Sequence, residues 1–140
     1  MTMSEGIHAD FVILCDSAQV QGQKLYMLGG GWSQVRVKQF PAQHQMAVAA
    51  GIMIPWMETN LKHHFKLQLR TEDGTLFGEV QGEFEQGRPP GLPPGSVQRV
   101  MLAMNLNIRV EKPCEAVAEL LLDDEVARTV PFRVVQRVAR

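Results

Sequence analysis

The chain is short of several things at once. It has two cysteines and one tyrosine, no basic block, no apolar run of membrane-spanning length, and no convincing helical stretch. Each absence excludes a class. Cys15 and Cys114 stand in apolar surroundings without CxxC spacing, so they read as two small buried thiols rather than a disulfide framework or a metal knuckle. Lys+Arg number 14 against 15 Asp+Glu, a formal net charge of −1, which leaves no footprint for phosphate backbones or anionic membrane surfaces. Nucleic acid and membrane are therefore excluded as partners. The first ten residues, Met1 to Asp10, lack a basic segment followed by an apolar one, so a cytoplasmic protein is expected, with residues 1–8 as a flexible N-terminus.

Catalytic frames are missing too. Ser4, Ser17, Ser33 and Ser96 lie in no GxSxG elbow. His8, His44, His63 and His64 make no HExxH or His/Cys ligand spacing. Adjacent strand residues point to opposite faces, so His63 and His64 cannot clamp one ion, and they read as a surface pair. Gly29-Gly30-Gly31 is no phosphate cradle, because no GxGxxG or GxxxxGK[ST] frame opens a helix there; a bend bringing Trp32 over the core accounts for it. No catalytic, metal-binding or cofactor-binding residue is assigned, and no cofactor is implied. Asp16, Asp73, Asp123 and Asp124 sit at turn positions. Gathered at one end of a sandwich they would suit calcium, but acidic residues in turns are ordinarily turn formers.

What the chain does have is strands. With 140 residues, 45% hydrophobic and 21% charged, it suits one domain spanning 1–140. Phe84 to Val97 holds four of the eight prolines and three of the twelve glycines, making a stiff, mostly extended connector with few donors for a sheet. Its Pro89-Pro90 and Pro93-Pro94 pairs predict an ordered segment laid across the surface. Before it, Ala9 to Cys15 reads as a buried strand ended by Asp16 and Ser17, Lys24 to Leu28 as a second, and Val35 and Val37 mark a third. Gln45 to Ile54, between Pro41 and Pro55, is a further strand, followed by a turn carrying Trp56.

The spacing from His64 to Glu83 predicts one hairpin about an Asp73-Gly74 two-residue turn. With Glu72 opposite Thr75, Leu69 meets Gly78, Leu67 meets Val80 and Phe65 meets Gly82 on an apolar face. Arg70 then meets Phe77, Gln68 meets Glu79, Lys66 meets Gln81 and His64 meets Glu83 on a polar one. Val100 to Val110 is the longest strictly alternating run. Two readings stay open for Glu115 to Arg128: a helix, favoured by its Ala, Leu and Glu, or a hairpin turning at Asp123-Asp124. The hairpin is preferred because Val130 to Val135 is a strand in need of a neighbour. Pro131 places that strand at an edge or a bulge. The sum is a two-layer antiparallel β-sandwich, Ig-like or C2-like, of about eight or nine strands with little helix.

These segments also carry a resemblance. Ala9 to Asp16, Lys24 to Trp32, Ile54 to Trp56, Gly87 to Ser96 and Val130 to Val135 together resemble an uncharacterised bacterial family, a domain of unknown function of the DUF6941 type. The likeness covers nearly the whole chain and implies a small bacterial β domain, with no catalytic residue to carry over. The chain departs from the family pattern at Cys114 to Val117, where a glycine and a tyrosine would usually open the penultimate strand.

Two functional expectations follow. The first is a non-enzymatic binding or assembly module that meets another protein, or a second copy of itself as a homodimer, through loops and sheet edges. Its interaction surface would draw on Trp32, Trp56, Met57, Arg88, Pro90, Leu92, Pro93 and Met101. The second is a small-ligand or calcium-like metal domain, with enzymatic activity left open, and its site at the loop end near Asp16 and Trp32.

Overall fold

Alternating apolar residues build two sheets that close on one core. The computed structural model describes residues 6–138. The strands are β1 (His8–Gln21), β2 (Lys24–Gly30), β3 (Gln34–Val37), β4 (Ala42–Ile54), β5 (Lys62–Thr71), β6 (Leu76–Glu85), β7 (Gln98–Val110), β8 (Cys114–Leu122) and β9 (Glu125–Gln136), with a single 3₁₀ turn at Trp56–Glu58. One sheet has the order β2-β1-β4-β7 and the other β3-β9-β8-β5-β6. Leu14, Val48, Ile52, Met104 and Ile108 from the first meet Leu67, Leu69, Leu120, Phe132 and Val134 from the second in one buried cluster.

The segment 115–128 is a hairpin, turning at Asp123 and Asp124 with φ of 50° and 69°. Two short acidic side chains that tolerate left-handed backbone favour that turn over a helix. Pro131 opposes Val117 just before β9 begins pairing with β3 at Arg133, so its missing N–H lies where β9 has a neighbour on one side only. Trp32 packs on the core as the glycine bend suggested, its ring edge-on to Phe132 at 6.1 Å.

Five features depart from the sequence reading. β1 does not end at Asp16 but continues to Gln21, because its second half pairs with β2 across a turn at Gly22 and Gln23. β3 pairs with β9 in parallel, so the second sheet is mixed. Cys15 is buried, but Cys114 is only half-buried at the start of β8; both are free thiols. The proline segment is folded rather than extended. Leu92 donates to the Pro89 carbonyl at 3.1 Å and Ser96 to the Pro93 carbonyl at 3.1 Å, which makes two successive Pro-Pro-Gly turns. In each the glycine takes the positive φ that such a turn demands at its third position, 88° at Gly91 and 84° at Gly95.

The fifth concerns the β5–β6 hairpin. From His64–Glu83 to Leu69–Gly78 the register is the one expected, with Leu67 and Leu69 buried and Phe65 and Val80 packed on the core. Beyond Leu69 a bulge intervenes and Arg70 opposes Leu76, not Phe77. Gly74 donates to the Thr71 carbonyl at 2.9 Å and Thr71 to the Thr75 carbonyl at 2.9 Å, so the loop has three residues. The extra residue, Phe77, turns inward against Phe132 at 6.3 Å, which the apolar ring favours over the polar face. Of the N-terminal segment expected to be flexible, residues 1–5 lie outside the described residues, Ile7 packs on the core and His8 opens β1.

Candidate functional site

The end of the sandwich where β4 and β6 finish and β5 and β7 begin carries a connected polar network. Pro55 stops β4, and the short turn that follows presents Trp56 and Met57 at the surface, Met57 76% exposed. Arg88, two residues past the hairpin's last loop contact, lays its guanidinium over the Trp56 ring with Cζ 3.8 Å from the centroid. The stack is fixed from below. Arg88 Nε donates to Thr59 Oγ1 at 2.6 Å, Thr59 Oγ1 donates to the Trp56 carbonyl at 2.7 Å, and Arg88 Nη2 donates to that carbonyl at 2.9 Å. A guanidinium held over an indole by two bonds loses little further entropy when something docks on it. The proline segment is tied in too, by Asn60 N–H to the Gln86 carbonyl at 2.7 Å and Gln98 Nε2 to the Gly87 carbonyl at 2.9 Å.

Beneath the turn lies His63, and here the expected surface pair is corrected: His63 is 2% exposed while His64 is half-buried. The reason is its place in the alternation, since Leu69, Leu67, Phe65 and His63 share the inward face. Its ring packs on Phe84 at 5.5 Å. Nδ1 lies 2.7 Å from Asp123 Oδ2 and Nε2 lies 2.7 Å from the Glu58 carbonyl. A carbonyl oxygen and an ionised carboxylate can only accept, so both contacts are made at once only by a ring that donates from both nitrogens, the imidazolium. Burial works against that charge, but the hydrogen bonds to Glu58 and Asp123 and the two carboxylates outweigh it, raising the His63 pKa above its ordinary 6.5. Burial likewise opposes the Asp123 charge. The His64 N–H donating to Oδ1 at 2.8 Å, with the His63 bond, nevertheless holds the carboxyl below its ordinary 3.8. With both nitrogens engaged, His63 has none left to act as a general base, so the pair with Asp123 does not make a catalytic dyad.

The predicted surface residues do not form one patch. Trp56, Met57 and Arg88 come together, with Pro90, Leu92 and Pro93 on the adjoining turns. Met101 lies elsewhere, on the outer face of the first sheet opposite Gly51, and is half-buried. Trp32 lies toward the other end, beside β3 and Phe132. There Asp16, Trp32, Ser33, Arg36 and His44 border an open recess of about 420 Å³. The acidic turns do not gather: Asp73 closes the β5–β6 loop, Asp123 serves His63 at the opposite end of β5, and among the described residues no three His, Cys, Asp or Glu side chains are placed to hold a metal ion. Sequence reasoning missed Thr59, read His63 as a surface residue, and named Asp123 as a turn former without its partner. Counting the alternation back from Leu69 was the signal that could have found His63.

Fold and site together define a two-sheet β-sandwich with a charged, loop-capped end, with 69% of the described residues in strands. The family model of DUF6941, a family of unknown function, matches residues 10–135, and the chain belongs to that family. No curated protein matches it. No helix among the described residues is long and apolar enough to cross a membrane.

Proposed function

We propose that this domain is a non-enzymatic binding or assembly module of a bacterial cytoplasmic protein, and that it meets a protein partner through the Trp56 end. The observation that supports the reading is the Trp56–Arg88 stack, set beside the exposed Met57 and Leu61. Tryptophan, arginine and methionine are the residues that interface centres favour, and here two of them are held in place before any partner arrives. A photo-reactive cross-linker placed at Met57 tests it. Capture of one defined protein by the native chain, lost in Trp56→Ala with the fold intact by circular dichroism, is the expected result. Equal capture by both chains would refute it.

Self-association is a second reading, supported by the outer face of the first sheet, where Phe11, Met53, Met101 and Ala103 are only half-buried. A homodimer through that face would appear in sedimentation at about 100 μM, well above a micromolar dissociation constant, and would be lost in Met101→Lys. A monomer at that concentration rules it out.

A further inference from the structure

We infer that His63 is a proton-operated latch that locks the Trp56 turn onto the β8–β9 turn, so that the surface presented by Trp56 and Arg88 is ordered when His63 is charged and released when it is neutral. The geometry carries this. The imidazolium bridges two elements distant in sequence: the Glu58 carbonyl belongs to the turn carrying Trp56, and Asp123 to the turn between β8 and β9. The groups facing the ring are the Asp123 carboxylate, the Glu58 carbonyl and carboxylate, the latter 3.7 Å from Nε2, and the apolar Phe84; the adjacent His64 acts on Asp123 through its N–H and its charge.

A neutral imidazole has one N–H and two acceptors to serve. The ionised carboxylate is the better acceptor, so the proton stays on Nδ1 and the Nε2 lone pair is left facing the Glu58 carbonyl at a distance fit only for a hydrogen bond. Two lone pairs repel there, and the side that gives way is the Glu58 carbonyl. The turn's backbone bonds accept at Pro55 and Trp56, and the Arg88 and Thr59 side chains hold Trp56 and Thr59, not that oxygen. Asp123 keeps its bond from His64 and stays in place. The direction of the His63 shift sets the window: the latch is fully closed below the ordinary 6.5 and opens as pH rises through the higher folded value.

The latch takes its consequence from the binding role given to Trp56, but its test does not. Amide hydrogen exchange on the free chain, corrected for the intrinsic pH dependence of exchange, would be followed between about pH 5.5 and about pH 9. Protection over residues 55–61 should fall by about tenfold or more, the loss of one charge-assisted hydrogen bond, while residues 71–76 at the other end of β5 stay level. In His63→Gln the fall should vanish. Asp123→Asn, which keeps an acceptor but not its charge, should move the fall to lower pH and serves if the first variant does not fold. A flat profile in the native chain, or a fall unchanged in both variants, overturns the latch. A flat profile would leave the Trp56 surface standing, since that is judged by cross-linking alone.

Discussion

Strand β5 is held at its two ends by opposite means. At Thr71 most of what shapes the turn is local: Thr71 Oγ1 donates to Asp73, Thr75 N–H donates to Asp73 Oδ1 at 3.2 Å, and Gly74 has a φ of 90°, with one distant bond from Glu72 N–H to the Glu115 carbonyl at 3.0 Å. At His63 the partners come from Glu58, Phe84 and Asp123, the last 60 residues away. Both ends use an aspartate whose pKa is lowered by hydrogen bonds, from Thr71 and Thr75 at Asp73, and from His64 and His63 against the cost of burial at Asp123. Asp73 is fully exposed and its charge is screened by water, whereas Asp123, with the Glu58 carboxylate 3.7 Å from the other ring nitrogen, neutralises a buried cation. A turn draws chiefly on its own residues. A buried cation needs the fold to be complete.

The comparison is calibrated by the middle of the strand. Leu67 is fully buried, and Leu67→Ala should cost about 2–5 kcal/mol in chemical denaturation, more than any change at either end. Next comes Asp123→Asn, which leaves His63 with a weaker partner. The loss should be about 1–2 kcal/mol, kept modest because Asp123 is part-exposed. Gly74→Ala meets no atom within 4 Å, so its cost of about 1 kcal/mol would come from the left-handed backbone alone. If Gly74→Ala proves costlier than Asp123→Asn, the ranking of the two ends is reversed.

That contrast explains what the sequence disclosed. The β5–β6 register from His64 to Leu69 was legible because period-2 alternation and a glycine turn are local signals. The bulge that turns Phe77 inward was not, because it depends on Phe132 being there to receive the ring. The β8–β9 hairpin was half legible: Asp123-Asp124 named a turn, but Ala116, Leu120 and Leu121 fit a helix equally well until β5 supplied a neighbour. Trp56 and Arg88 were each conspicuous, but nothing in a chain of letters brings residue 88 over residue 56. The folded turn does, through the Thr59 hydroxyl and the Trp56 carbonyl that both accept from Arg88.

The smallest effect should be seen in pH. Asp123, held below 3.8, contributes stability that is present above that value and lost as pH falls through its lower folded pKa. His63, held above 6.5, contributes stability present below that value and lost as pH rises through its higher one. Thermal melts should therefore show a plateau between these limits, with the alkaline shoulder absent in His63→Gln. A profile falling steadily from acid to neutral pH would mean that His63 is not the charged partner.

The charge on His63 is the claim on which the account of this end rests, and nitrogen-15 NMR of the histidine side chains reads it directly. At pH 6.5, where a free imidazole is about half protonated, the His63 ring should show two protonated nitrogens in slow exchange with water, both coupled to hydrogens. A ring with one protonated and one bare nitrogen would contradict it.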